Sequence, residues 1–220
     1  ESITSQGDAP MYQFISNHPQ LVTVSEKGRV LQFNNKTEIS VQTNYPLLIR
    51  TDSVENEDAS GGNNTMFASE TTHLPSMHYF EITVLSNTNS EASAIAIGLA
   101  TKHYPPFSLP GWYLHSVGYH SDDGQKFYDA VKGSSYGPTW GEVGDTIGCG
   151  YYPDRGCVFF TKNGENLGDA FTGIRHIWFP TIGVVGSCKL QVNFGDGERP
   201  FRYLEARWFG PARPIQSDNE

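Results

Sequence analysis

The chain has 220 residues, 15 basic against 24 acidic side chains, a net charge of −9, and 23 glycines and 13 prolines. That balance offers no basic face to nucleic acid and no Lys/Arg cluster to an anionic lipid surface. No run of about 18 apolar residues is present to cross a bilayer, and so much glycine and proline predicts many turns and little helix. Hydrophobic residues make up 37% of the chain and aromatics 13%, enough to fill the core of one large all-β domain.

Residues 8–15 predict a short helix, capped by Asp8 with Pro10 in its first turn. Strand candidates follow at 30–33, 38–42 and 47–50, with Asn34-Asn35 read as a hairpin turn between the first two. Residues 52–64 are polar, contain Gly61-Gly62 and read as a surface loop. From Tyr79 the pattern becomes regular. Residues 79–85 form an apolar strand, and 94–99 a second strand buried on both faces. Residues 102–111 form a Pro-rich segment expected to cover its neighbours. The stretch 111–148 reads as strand, turn, strand, aromatic loop, turn and strand. Residues 146–152, 156–162 and 165–170 form a meander, whose second turn, Asn163-Gly164, demands positive φ at both positions. Residues 179–185 and 189–194 supply the last strands. No helical periodicity persists over a long window, so the expected architecture is two packed antiparallel sheets. Residues 1–214 are read as one domain and 215–220 as a tail.

Cys149, Cys157 and Cys188 make an odd, sparse set, expected as reduced thiols in a cytosol-facing domain. The sequons at Asn35 and Asn63 argue weakly against that placement.

Tyr79-Phe80-Glu81, Ile97-Gly98-Leu99, Pro110-Gly111-Trp112, Ser116 through Gly124, Tyr136-Gly137-Pro138-Thr139, Gly144 through Gly148, Phe159 through Gly168, Phe179 through Gly183 and Val192 through Gly195 follow in order. This series resembles a SPRY domain, the core of the B30.2 family, over about residues 77–195. The resemblance implies an all-β sandwich. The central stretch is also similar to the Ran-binding scaffold proteins of CTLH/GID ubiquitin-ligase complexes. The flanks, 28–33 with 41–46 and 201–210, look like those of fungal single-span SPRY adaptors. Those adaptors recruit a HECT-type ubiquitin ligase to membrane cargo at endosomes and the vacuole.

On that resemblance the chain is expected to be the recognition domain, binding peptide segments of membrane cargo or other proteins. Ligase recruitment and membrane anchoring are expected outside it, since the sequence holds no Pro-Pro-x-Tyr motif. A monomer is expected. The parent is expected to be anchored in the endosomal or vacuolar membrane, or else to be cytoplasmic.

In such domains loops at one end of the sandwich form the ligand surface. Carried over, this marks the loop after Tyr119-His120 and the loop 136–140. Tyr119, His120, Tyr136, Pro138 and Trp140 would be contact residues, with Asp122 and Asp123 setting polarity. Each also has a structural reading: Asp122-Asp123-Gly124 as an ordinary turn, Tyr119 as core, His120 as a satisfied histidine. Trp112 reads as packing. Replacing Tyr136 or His120 by alanine is expected to change stability by no more than about 1 kcal/mol.

Enzyme chemistry finds no support. The seven histidines show no His-Glu-x-x-His spacing, and the cysteines no paired metal spacing. Asp122 and Asp123, adjacent on an extended chain, would face opposite ways. No cofactor or metal is expected. A lectin-like glycan binder is the remaining alternative.

Overall fold

A computed structural model describes residues 11–47, 77–88, 93–197 and 199–209. Its strands form two seven-stranded antiparallel sheets. In spatial order the first runs β1 (Phe14–Ile15), β4 (Ile39–Thr43), β13 (Phe179–Val185), β6 (Ala94–Ala100), β7 (Ser116–His120), β8 (Gln125–Tyr128) and β9 (Ser134–Ser135). The second runs β12 (Glu165–Phe171), β11 (Cys157–Lys162), β10 (Thr146–Tyr152), β5 (His78–Asn87), β14 (Ser187–Asn193), β3 (Val30–Asn34) and β2 (Val22–Ser25). The only helical turn among the described residues is a 3-10 turn, Glu205–Trp208. The all-β sandwich read from the sequence is therefore the fold.

Several local expectations are met. β6 lies between β13 and β7, and from Ile95 onward every residue of it is buried, because the sheet interior covers one face and loops the other. β10, β11 and β12 form the meander. Asn163 and Gly164 adopt φ of 53° and 89°, the mirror-image turn that matches strand twist.

Others are corrected. The short N-terminal helix is not found in the described residues. Phe14 and Ile15 instead pair with Thr43 and Gln42 as β1, because Tyr12 and Phe14 are drawn into the aromatic core with Phe194. The predicted cap at residues 8–10 lies outside the described residues. Asn34-Asn35 does not close a hairpin: β3 and β4 belong to different sheets, and these residues carry the chain across the sandwich. The buried Asn35 amide holds that crossing by donating to the Val184 carbonyl at 3.0 Å. Its amide nitrogen, where a glycan would attach, is thus engaged inside the fold. Residues 48–50, 52–64 and 215–220, with the second sequon, lie outside the described residues. β2 was not anticipated, since its four residues Val22–Ser25 show one fully buried position.

The main core lies between the sheets and includes Phe33, Phe80, Ile97, Tyr119, Phe160 and Trp178. A smaller core sits on the outer face of the second sheet. There Met77, Tyr79 and Phe159 meet Phe201, Tyr203 and Ala206 of the C-terminal segment. Glu81, 4% exposed, anchors that segment. Its carboxylate accepts from the Arg202 backbone N–H at 3.0 and 3.1 Å and from Asn193 Nδ2 at 3.2 Å. The Tyr79 hydroxyl donates to it at 3.2 Å. Desolvation pushes its pKa up, partly offset by these donors.

Candidate functional site

The seven candidate residues lie at one end of β7, but they do not share one exposure. β7 is an interior strand, flanked by β6 and β8, so its two faces are covered for different reasons. The Tyr119 side chain points between the sheets, packing 5.4 Å from Tyr136, 5.9 Å from Trp140 and 5.5 Å from Phe160, ring centre to ring centre. His120 points outward, where Pro110 and Trp112 close over it. Its Nε2 lies 2.9 Å from the Pro110 carbonyl and so carries the proton. Its ring stacks at 4.1 Å on Phe127 and lies 5.5 Å from Trp112.

Tyr119 and His120 are 0% and 1% exposed, so neither presents a surface to a partner. This corrects their assignment as contact residues. It also overturns the expectation that His120→Ala would be mild, because the change would empty a filled site. Burial lowers the His120 pKa, against a smaller opposing pull from the Pro110 carbonyl and from Asp122 and Asp123. The imidazole is accordingly neutral at pH 7.

Trp140, 7% exposed, is likewise a structural anchor. Its backbone N–H donates to the Ser121 carbonyl at 3.0 Å, and the Gly137 N–H donates to the Gly124 carbonyl at 3.0 Å. These two bonds seat loop 136–140 on turn 121–124. The seat is close: a Cβ on Gly124, whose φ is +67°, would lie 2.3 Å from the Gly137 carbonyl oxygen. Glycine there is required by both backbone angle and space.

Tyr136 is half-buried and works from beneath the loop. Its hydroxyl donates to the Gly168 carbonyl at 2.6 Å and accepts from the Phe160 N–H at 3.0 Å. The Tyr119 hydroxyl donates to the Pro138 carbonyl. Burial raises both tyrosine pKa values, so both remain neutral donors. Tyr136→Ala is also no mild surface change, since it would strip the Phe160 N–H of its acceptor.

What remains at the surface is a compact platform. Asp122, Asp123, Pro138 and Thr139 are exposed on the two docked loops. Asp123 caps its own turn, accepting from the Gln125 N–H at 2.9 Å. The Lys162 ammonium donates to the Thr139 carbonyl at 2.8 Å and stands 3.8 Å from Asp145. Asp145 closes the far side of the loop. It accepts from the Gly141 and Glu142 N–H groups at 3.0 and 3.2 Å and from Asn163 Nδ2 at 3.0 Å.

Thr139, Glu142 and Val143 are exposed on the same loop, Val143 at 68%, and sequence reasoning passed over them. One signal was available: Val143 is an apolar residue standing alone in a turn, outside any strand alternation. The platform carries carboxylates, a proline face, a hydroxyl and a backbone locked by hydrogen bonds. Among the described residues no group of three or more His, Cys, Asp or Glu side chains is placed to hold a metal ion. No helix among them is long and apolar enough to cross a membrane.

Comparison with known proteins agrees with this fold. The sequence model of the SPRY domain matches residues 77–197. Protein ssh4 of Sclerotinia sclerotiorum is 43% identical over 117 residues, which is 53% of this chain and 22% of that protein. A SPRY domain-containing protein of Schizosaccharomyces pombe is 32% identical over 195 residues, 89% of this chain and 43% of the relative. The chain thus spans less than half the length of either. Among solved structures, a human SPRY domain superposes with a TM-score of 0.58 at 23% identity, covering 84% of this chain and 99% of that one; that likeness is one of fold.

Proposed function

The chain belongs to the SPRY domain family, a family of protein-interaction domains, and from that premise we propose that it is the recognition domain of a ubiquitin-ligase adaptor. In this reading the parent protein sorts membrane cargo through endosomes to the vacuole. The domain contributes binding, not catalysis, and takes a peptide segment of the cargo or of another protein on the platform of Asp122, Asp123, Pro138 and Thr139. The observation that carries the binding role is the locking of loop 136–140 to turn 121–124. A surface whose backbone is already ordered loses little entropy on binding. The pathway rests on the resemblance to fungal single-span SPRY adaptors, and the fungal ssh4 relatives support that resemblance alone.

A second reading, a scaffold subunit of a CTLH/GID-type ubiquitin ligase, is favoured by the motifs of the central stretch. Affinity purification of the full-length protein from fungal cells separates the two. Permeases together with a HECT-type ligase support the adaptor; a multi-subunit RING ligase supports the scaffold. The double substitution Asp122→Lys with Pro138→Ala tests the platform. It is expected to abolish recovery of the bound protein while leaving the melting temperature unchanged. Undiminished recovery would remove the platform from the binding role.

A further inference from the structure

A second hollow lies away from the platform, at the β1–β4 edge of the first sheet. Its volume is about 380 Å³, and its lining includes Ile15, His18, Gln42, Lys102, His103 and Pro106. The Pro-rich segment forms one wall, held down where the Ser40 N–H donates to the Pro106 carbonyl at 2.7 Å.

The charge of this hollow opposes that of the whole chain. Although the net charge is −9, no Asp or Glu among the described residues lines it. Two cations elsewhere sit beside carboxylates, Arg29 with Asp196 and Lys162 with Asp145. Lys102 has no carboxylate at ion-pair distance among the described residues. Its ammonium rests 4.4 Å over the Phe179 ring and reaches the Thr43 carbonyl at 3.4 Å. Desolvation lowers its pKa with no anion to offset it. His103, next in sequence, holds φ of 64°, a left-handed conformation uncommon for a non-glycine residue. The rim is apolar: Ile15 is 45% and Phe107 55% exposed, with the His18 ring 5.1 Å from Phe107.

We propose that this hollow is a second recognition site, taking an acidic peptide segment of a partner protein. Lys102 receives a carboxylate, and the adjoining apolar side chain of the peptide covers Ile15 and Phe107. Charge complementarity selects the occupant: an unpaired, partly desolvated cation gains most from an anion that also excludes water. The apolar rim favours a peptide, which alternates acidic and apolar groups along one chain, over a lone ion.

The test is an array of nonapeptides, each with one Glu or Asp among varied apolar residues, beside a matched array carrying Gln or Asn instead. The purified 220-residue chain is expected to be retained about tenfold more strongly by the acidic peptides. Lys102→Met keeps the stem over Phe179, removes the charge and is expected to erase the preference. Pro138→Ala, on the platform, is expected to keep it, which distinguishes this site from the one proposed above. Equal retention by the two arrays, or a preference that survives Lys102→Met, overturns the proposal. So does Lys102-dependent binding to phosphatidylserine vesicles without any peptide preference, which would assign the hollow to lipid.

Discussion

The platform end of β7 and the C-terminal seal over the second sheet both fasten irregular chain to a sheet, by opposite means. Beneath the platform the buried fastenings are neutral, and the charged Lys162 and Asp145 hold only its outer side. Tyr119 and Tyr136 hydroxyls donate to the carbonyls of Pro138 and Gly168, and the His120 Nε2–H to that of Pro110. Under the C-terminal segment a buried carboxylate, Glu81, collects N–H and hydroxyl donors. The neutral scheme carries little desolvation cost and supports an exposed surface. The charged scheme gives stronger individual bonds but leaves a desolvation cost that its donors only partly offset.

The largest expected effect tests whether the platform anchor belongs to the main core. Tyr119→Ala should destabilise by about 3–5 kcal/mol, the usual cost of truncating a fully buried aromatic, read as a lower urea midpoint at constant slope. Phe201→Ala, in the smaller core at the surface, should cost less because its surroundings can collapse further. A reversed order would make the C-terminal seal the more important of the two regions.

Next are losses of a single acceptor. Glu81→Ala leaves the Arg202 N–H without an acceptor, and Tyr136→Phe does the same to the Phe160 N–H. Each should cost about 1–3 kcal/mol. Hydrogen exchange should separate them, with faster exchange at residues 199–209 in the first variant and in loop 136–140 in the second. Tyr119→Phe, which loses only a hydroxyl donor, should cost about 1 kcal/mol, measured by thermal melting.

The smallest effect is the pH dependence, which should have opposite sign in the two regions. The His120 pKa is lowered in the folded state. The unfolded chain therefore binds more protons in the window from about 6.5 down to the folded value, and stability is lost as pH falls through it. The Glu81 pKa is raised. There the folded state binds more protons between about 4.3 and the raised value, so stability is regained as pH falls through that window. His120→Gln should flatten the first dependence and Glu81→Gln the second, both followed by urea midpoints between pH 4.5 and 7.5. Slopes unchanged in both variants would mean that other groups set the acid response.

The apolar runs, the Asn163-Gly164 turn and the glycine-punctuated motifs from Gly111 to Gly148 determine the all-β sandwich, its meander and its family, because strand period and turn chemistry are local properties. They also place the platform loops in the chain. Which side chains reach the surface was decided elsewhere. Tyr119 and His120 stand at a strand end beside a polar turn and read as loop anchors. They are buried because Phe160, from the opposite sheet, and Pro110 with Trp112, from the preceding segment, close over the two faces of β7. The same holds for Phe14, drawn into β1 by a partner on β4, and for Asn34-Asn35, which cross between sheets where a hairpin was expected. Burial and partner choice depend on residues distant in sequence, so only the tertiary structure resolved the site into buried supports and the exposed Asp122, Asp123, Pro138 and Thr139.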